Sequence, residues 1–412
     1  MAIIKPFRAV RPRPDQAAAV ASLPYDVMNS AEARKMAEGN PYSFLHVSRA
    51  EIDLPAGTDE HAPEVYRKAK ENFDRLQKEG ILVRDPQPFM YIYAQVMNGR
   101  RQVGLVACSS IYDYFNDVIK KHEFTRPEKE LDRIVHMEAV QAHVGPIFLT
   151  YPQHASVDAV ISGVIEKQKP VNDFKSEDGI QHTVWVIDNY ELIQQLTGIF
   201  AKEIPYTYIA DGHHRTASAA KVGQKIREGN PNHRGDEEYN FFLSVLFPSN
   251  QLAIMDYNRV VKDLNGWNPE GLIGKIEEKF TITKKTKSKP AELHEIDMYM
   301  ERQWYQLKPK EGVYTTDPIG VLDITILQDN ILNPLLGIRD PRTDKRIDFV
   351  GGIRGLEELE RRVNSGEMKI AFALYPVSIQ QLMDIADSGQ VMPPKSTWFE
   401  PKLRDGLFSH LF

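Results

Sequence analysis

Near the middle of the chain, residues 206–223 read YTYIADGHHRTASAAKVG. The residues before Asp211 predict a short strand, and the small residues from Thr216 onward predict a helix that stops at Gly223. Gly212, at the corner between them, permits a tight turn and leaves the first helical N–H groups without intrahelical acceptors. These donors, the helix dipole and the guanidinium group of Arg215 converge on one point. Such a corner suits a phosphate group.

The DGHHR loop, residues 211–215, also has a purely structural interpretation. Asp211 would cap the helix, and Arg215 would pair with a surface carboxylate. The adjacent histidines His213 and His214 favour the anion site over this interpretation.

Composition limits the classes of partner. The residues are 42% hydrophobic and 26% charged, which is typical of an ordinary globular protein. A length of 412 residues predicts two or three substructures. The net charge of −6 gives no reason to expect a nucleic acid or an anionic membrane as partner. The single cysteine excludes an internal disulfide and a thiolate zinc site. No apolar run approaches the roughly 20 residues of a membrane helix, so we expect a cytoplasmic protein.

Helical and strand patterns alternate along the chain, which predicts an α+β fold with α/β elements. We expect three parts: a mixed α/β region over 1–111, a core over 112–229 and a mixed α/β domain over 230–412, with a loop at 229–235. The sequence predicts a hairpin around Asn98-Gly99, a single strand over 298–307 and one helix over 324–336.

A second group of polar residues, HEFTRPE, occupies positions 122–128. Thr125 and Glu128 have the spacing of a capping box, which makes Glu128 structural. Glu123 falls outside the following helix and has no cap to serve. A carboxylate in that position is suited to accepting a proton from a substrate hydroxyl. The alternative is an exposed surface glutamate.

The helix expected over 126–142 has one apolar face. Helical spacing places Leu131 on this core face and puts Asp132 and Arg133 at the solvent or at the rim of a site. A zinc-protease motif is excluded, because the fifth position of the H-E-x-x-H pattern is Arg126.

These motifs occur in a recognisable order. The His-Glu pair, the helix, the GPI segment at 145–147, the strand and the DGHHR loop with its alanine-rich helix resemble the free serine kinases of the ParB/sulfiredoxin-like superfold. The whole chain is identified as a member of a bacterial and archaeal family of unknown function that carries this box. PYDV at 24–27 and MPPKSTWF at 392–399 support this membership. Relative to the compact kinases, residues 152–205 form an insertion in the core.

The resemblance implies that the DGHHR loop binds the phosphates of ATP or ADP, through Gly212, His213, His214, Arg215 and Thr216. It also implies that Glu123 deprotonates a free amino-acid hydroxyl, with L-serine or O-phosphoserine as the substrate.

The remaining site residues are assigned from their position. We expect Asp211 or Glu123 to hold Mg²⁺ or to take the proton, and His122 to contact the substrate. Lys395, Ser396 and Thr397 form a polar stretch that either adds a cationic contact to the site or is an ordinary loop.

Two other functions remain open. The first is a nucleotide-gated switch that binds CTP without kinase activity. The acidic net charge argues against this function, and so does the lack of an evident helix with basic recognition residues. The second is a metal-dependent hydrolase with His122, His213 and His214 as ligands.

Overall fold

In the computed structural model, which describes residues 1–412, the chain forms two compact units. One comprises Met1–Leu252 with Pro401–Phe412, and the other comprises Ala253–Glu400. The boundaries expected at 111/112 and 229/230 both fall inside the first unit. The reason is sheet pairing, because Ser110, at the end of one strand, lies opposite Phe241, at the start of another.

The strands in chain order are β1 (Ile4–Lys5), β2 (Val10–Pro12), β3 (Leu82–Arg84), β4 (Met90–Met97), β5 (Arg100–Ser110), β6 (Ile119–Lys120), β7 (Ala142–His143), β8 (Ile147–Tyr151), β9 (Asn172–Lys175), β10 (Gln181–Ile187), β11 (Thr207–Asp211), β12 (Phe241–Pro248), β13 (Ile254–Met255), β14 (Tyr257–Val261), β15 (Phe280–Lys285), β16 (Ile296–Met300), β17 (Gln303–Pro309), β18 (Ile347–Gly351), β19 (Ile370–Ala373), β20 (Trp398–Phe399) and β21 (His410–Leu411).

The α-helices are α1 (Ala17–Val20), α2 (Ser30–Met36), α3 (Leu45–Ser48), α4 (Pro63–Lys78), α5 (Ile111–Phe115), α6 (Pro127–Val140), α7 (Ala155–Lys167), α8 (Tyr190–Glu203), α9 (His213–Gly229), α10 (Pro269–Glu277), α11 (Asp323–Leu327), α12 (Gly355–Asn364) and α13 (Ile379–Asp387).

A mixed sheet of nine strands organises the first unit. Its order is β6-β11-β8-β12-β5-β4-β10-β9, with β1 also pairing with β5. The predicted hairpin at Asn98-Gly99 is confirmed as the β4–β5 connection. Strands β9 and β10 belong to the 152–205 segment, and they extend the sheet beyond β4. The segment predicted as an insertion is therefore part of the main sheet.

A large core cluster lies on this sheet. Its members include Leu105, Leu149 and Leu246 on three strands of the sheet, and Leu196 and Phe200 of α8. Each of these side chains is fully buried. Burial of such a side chain contributes about 1.5–3 kcal/mol, so this layer supports the strands that lead to the DGHHR loop.

The second unit contains an antiparallel sheet of six strands in the order β15-β17-β16-β19-β14-β18. The single strand predicted over 298–307 is wrong, since β16 and β17 form a hairpin there. Glu301 and Arg302 make the turn with φ of 49° and 60°. A two-residue turn with positive φ matches the twist of paired strands, and no Gly or Asn marks it in the sequence.

Two helix boundaries also differ from expectation. The predicted end at Gly223 is wrong, because α9 continues to Gly229. A Cβ atom on Gly223 would lie 2.1 Å from the carbonyl oxygen of Tyr239, so this glycine permits close packing. The helix expected over 324–336 is α11 followed by a π-helical turn, Gln328–Leu332.

Helix α6 corrects two further predictions. Its N-cap is Arg126 and it has no side-chain cap, so the Thr125–Glu128 capping box does not form; Thr125 donates to Glu130 instead. Leu131 is 61% exposed, which contradicts its placement in the core. Asp132 accepts a hydrogen bond from Tyr66 of α4 at 2.7 Å. Asp132, expected at the solvent or at the rim of a site, is therefore in contact with α4.

Both sheets are covered by helices in an irregular order along the chain, and the predicted α+β class is confirmed. None of the helices combines the length and the hydrophobicity that crossing a membrane requires.

Candidate functional site

The DGHHR loop lies at the corner between β11 and α9, as the sequence predicts. Gly212 precedes the helix and has φ of 96°, a backbone conformation that residues other than glycine rarely adopt. Both the N–H group and the hydroxyl of Thr216 donate to the carbonyl of Gly212 at 2.9 Å. The earlier N–H groups of the first turn, from His213 to Arg215, have no intrahelical acceptor and form the positive end of a 17-residue helix.

Arg215 is buried beneath this corner. Its Nη1 donates to the carbonyl of Pro146 at 2.7 Å, and its Nη2 donates to Asp211 Oδ2 at 3.0 Å. Its Nε is buried and has no hydrogen-bond partner. The guanidinium group thus holds the loop against the start of β8, and it contributes positive charge from below the corner.

A residue that the sequence analysis missed completes this ion pair. Lys402 Nζ lies 3.3 Å from Asp211 Oδ1, and its side chain is 12% exposed. Burial by itself would raise the pKa of Asp211, but the cations of Lys402 and Arg215 outweigh burial and lower that pKa. Asp211 is therefore an ionised carboxylate between two cations.

The structure brings Glu123 to the same corner from a segment 90 residues away in the chain. Glu123 Oε2 lies 3.9 Å from Nδ1 of His213, and the glutamate side chain is 54% exposed. The proximity of these two segments depends entirely on the tertiary fold. A carboxylate that is open to solvent beside a helix N-terminus can reach a bound hydroxyl group.

His122 and His213 form a buried pair behind Glu123. Their rings meet edge to face, with centroids 4.4 Å apart. Burial lowers the pKa of His122 to about 4 and the pKa of His213 well below its usual value. Both rings are therefore neutral at pH 7. Both nitrogens of His122 and Nε2 of His213 are buried without a hydrogen-bond partner, and the predicted contact of His122 with the substrate stays a prediction.

His214 points away from this pair. Its Nε2 accepts a hydrogen bond from the backbone N–H of Arg126 at 3.0 Å, which ties α9 to the start of α6. The structure therefore does not assemble His122, His213 and His214 around one ion. No group of three or more His, Cys, Asp or Glu side chains is arranged to hold a metal ion.

A further acidic residue lies beneath the loop. Asp405 is 2% exposed, and its Oδ1 has no hydrogen-bond partner. Burial raises its pKa to about 7, with Asp26 adding to the effect and Arg215 opposing it. Neither Asp405 nor Lys402 gave a signal in the sequence, because both lie outside any motif.

Lys395, Ser396 and Thr397 belong to the second unit. The carbonyl of Lys395 accepts from Arg259 at 2.8 Å, and Ser396 Oγ donates to the carbonyl of Pro393 at 2.5 Å. Their predicted contribution to the substrate site stays a prediction.

A family model described as "Protein of unknown function (DUF1015)" matches residues 4–325. No curated protein matches the chain. Among solved structures, a conserved hypothetical protein from Pyrococcus furiosus is similar at 16% identity and a TM-score of 0.35, over 72% of this chain and 93% of that chain.

Two other solved structures are similar at the same level. A free serine kinase in complex with AMP has 12% identity and a TM-score of 0.36, over 71% of this chain and 89% of its own. SbnI from Staphylococcus aureus, with a C-terminal truncation, has 11% identity and a TM-score of 0.33, over 74% and 87%. At TM-scores this low, the likeness carries no inference about the chemistry of this chain.

Proposed function

The chain belongs to the DUF1015 family, and we propose that it transfers a phosphoryl group between a nucleotide and the hydroxyl group of a free amino acid. The proposed pair is L-serine and O-phosphoserine, with ATP or ADP as the nucleotide. The observation that carries this proposal is the 3.9 Å distance between Glu123 and His213, which places a carboxylate at the N-terminus of α9.

The phosphate groups would bind at the first turn of α9. The N–H groups from His213 to Arg215 point out of the helix end, and no side chain caps them. Arg215 and Lys402 supply two positive charges; Asp211 pairs with both, and Asp26 and Asp405 also interact with Arg215. The free N–H groups and these two cations would stabilise the negative charge that spreads over the phosphoryl oxygens during transfer.

Glu123 would act on the amino acid. In the forward direction its carboxylate takes the proton of the serine hydroxyl, and the serine oxygen forms a bond to the terminal phosphorus. The bond from that phosphorus to the bridging oxygen breaks, and the shortened nucleotide leaves with the electron pair. The reverse reaction uses the same groups, because the protonated Glu123 then returns the proton to serine.

Mg²⁺ fits this site only together with the nucleotide. The protein offers no cluster of three ligands, and Asp211 is already held by two cations. Glu123 is the more accessible carboxylate, and phosphate oxygens would supply the other ligands. When bound, the ion neutralises phosphate charge.

The experiment is an assay by ³¹P NMR with ATP or ADP and L-serine, and with O-phosphoserine in the reverse direction. We expect serine-dependent turnover that Glu123→Gln lowers by about 10²–10⁴-fold. Glu128→Gln, which removes an exposed carboxylate from the same segment, should keep the wild-type rate. The proposal is overturned if L-serine does not stimulate nucleotide turnover and O-phosphoserine does not phosphorylate the nucleotide. Nucleotide hydrolysis that is stimulated by DNA would favour the switch protein instead.

A further inference from the structure

The second unit contains a cleft beside the first residues of β14. It is lined by Tyr257 and Arg259 of β14, by Asp323 at the start of α11, and by Tyr375, Gln381 and Ser396. The void measures about 320 Å³ including its open mouth, and its enclosed end has room for about one water molecule. Only a group of about that size, such as a single carboxylate oxygen, fits at the closed end, and the remainder of a ligand lies toward the mouth.

Arg259 is a buried cation without an acidic partner. Its side chain is 2% exposed, and no carboxylate lies within ion-pair distance. Its Nη1 donates to the carbonyl of Tyr257, and its Nη2 donates to the carbonyls of Lys395 at 2.8 Å and Pro394 at 3.3 Å. Burial lowers its pKa to about 9, and Tyr257 only partly opposes this. Carbonyl dipoles orient the guanidinium group, but they do not neutralise it.

Asp323 lines the same cleft without pairing with Arg259. It is 3% exposed; its Oδ1 accepts from the backbone N–H of His294 at 2.9 Å, and its Oδ2 makes no hydrogen bond of normal geometry. Burial raises its pKa to about 7, although the N–H groups of His294 and Tyr375 lower it, and Glu295 raises it further. At neutral pH this carboxyl group can either donate or accept a hydrogen bond.

We propose that this cleft binds the carboxylate group of a small organic acid, with the carboxylate on Arg259 and a neighbouring hydroxyl or amino group on Asp323. Three backbone carbonyls already accept from Nη1 and Nη2 of Arg259, so the guanidinium group would donate to one carboxylate oxygen and not to both. A doubly charged phosphate is disfavoured, because one cation faces it while Asp323 and Glu295 stand close by. The rest of the ligand lies in the open mouth. This site does not depend on the proposed phosphoryl transfer.

Calorimetric titration of the full chain with glycolate, glycine, acetate and inorganic phosphate tests the proposal. We expect glycolate or glycine to bind more tightly than acetate, and phosphate to bind weakest. Arg259→Gln should lower the affinity for the bound carboxylates at least about tenfold, which corresponds to 1.4 kcal/mol. Arg342→Gln, in an exposed arginine of the same unit that pairs with Asp340, should leave it unchanged.

Two further variants separate binding from folding. Arg259→Lys keeps the charge and removes the planar fork, so it should fold and still bind weakly. Asp323→Asn should reduce the affinity for glycolate and glycine toward that for acetate. The proposal is overturned if no carboxylate binds, if both Arg259 variants bind as the wild type does, or if phosphate binds tightest.

Discussion

Lys402 Nζ lies 3.3 Å from Asp211 Oδ1, although 191 residues separate the two in sequence. The contact forms because Pro401–Phe412 returns to the first unit. With Arg215 on the other carboxylate oxygen, Asp211 is held from both sides. Lys402 therefore adds to the DGHHR loop a positive charge that neither the loop's own sequence nor its helix provides.

Replacing Lys402 tests whether this charge serves anion binding. We expect Lys402→Met to weaken ADP binding about tenfold and to reduce its dependence on salt, because one cation is lost near the phosphates. Calorimetric titration at two salt concentrations measures both effects. Lys225→Met removes an exposed lysine that pairs with Glu138 on α6, and it should leave ADP affinity unchanged. Equal ADP affinity in the Lys402 variant and the wild type would contradict the assigned role.

Gly212→Ala should destabilise the protein. Its φ of 96° is strained for alanine, and the added Cβ would lie 3.2 Å from Arg215 Nε. We expect a loss of about 1–2 kcal/mol in the free energy of unfolding, measured by urea titration. Gly163→Ala in α7 meets no atom within 4 Å and should stabilise by about 0.5–1 kcal/mol. A loss of the same size in both variants would show that the backbone of Gly212 is not special.

Gly223→Ala should cost more than Gly212→Ala. Its Cβ would lie 2.1 Å from the backbone oxygen of Tyr239 and 2.9 Å from Ile111 Cδ1, so α9 must move away from its neighbours. We expect a loss of about 3 kcal/mol or more, read from the urea midpoint at constant slope. Gly198→Ala in α8 has open space around it and serves as the control. A loss below about 1 kcal/mol would mean that α9 does not pack as closely as the structure shows.

The lowered pKa of buried His122 should make the folded protein less stable in acid. Its pKa is about 4 in the folded protein and near 6.5 in a free histidine, so between these values the unfolded chain binds the extra proton. Its contribution to the free energy of unfolding is complete above pH 6.5 and falls as the pH decreases toward 4. His122→Phe should make the pH dependence shallower by up to about 1.4 kcal/mol per pH unit. Urea titrations of both proteins at several pH values across this range measure the difference, and parallel curves would contradict it.

The sequence was most informative where structure is local. The strand, the glycine corner and the helix at residues 206–223 follow from residue types in adjacent positions, and the structure contains all three. The hairpin at Asn98-Gly99 is another such case, because the turn residues themselves require positive φ. Helix α2 is local in the same sense, since its capping box, Asn29 with Glu32, joins residues three positions apart.

Predictions failed where packing overrides a local pattern. Leu131 satisfies the apolar spacing of α6 but is exposed, whereas the next residue, Asp132, contacts Tyr66 of α4. Likewise, Glu301 and Arg302 adopt a tight turn that their residue types do not favour, since pairing of β16 with β17 stabilises it.

By itself, the sequence determined the glycine corner at Gly212 and the elements on either side of it, because neighbouring residues set these through backbone geometry. Only the tertiary structure decided which charges surround that corner. Glu123, Lys402 and Asp405 come from distant segments that the nine-stranded sheet and the returning C-terminal segment bring together. Contacts between residues so far apart leave no periodic trace in the sequence, because each depends on the packing of the whole unit.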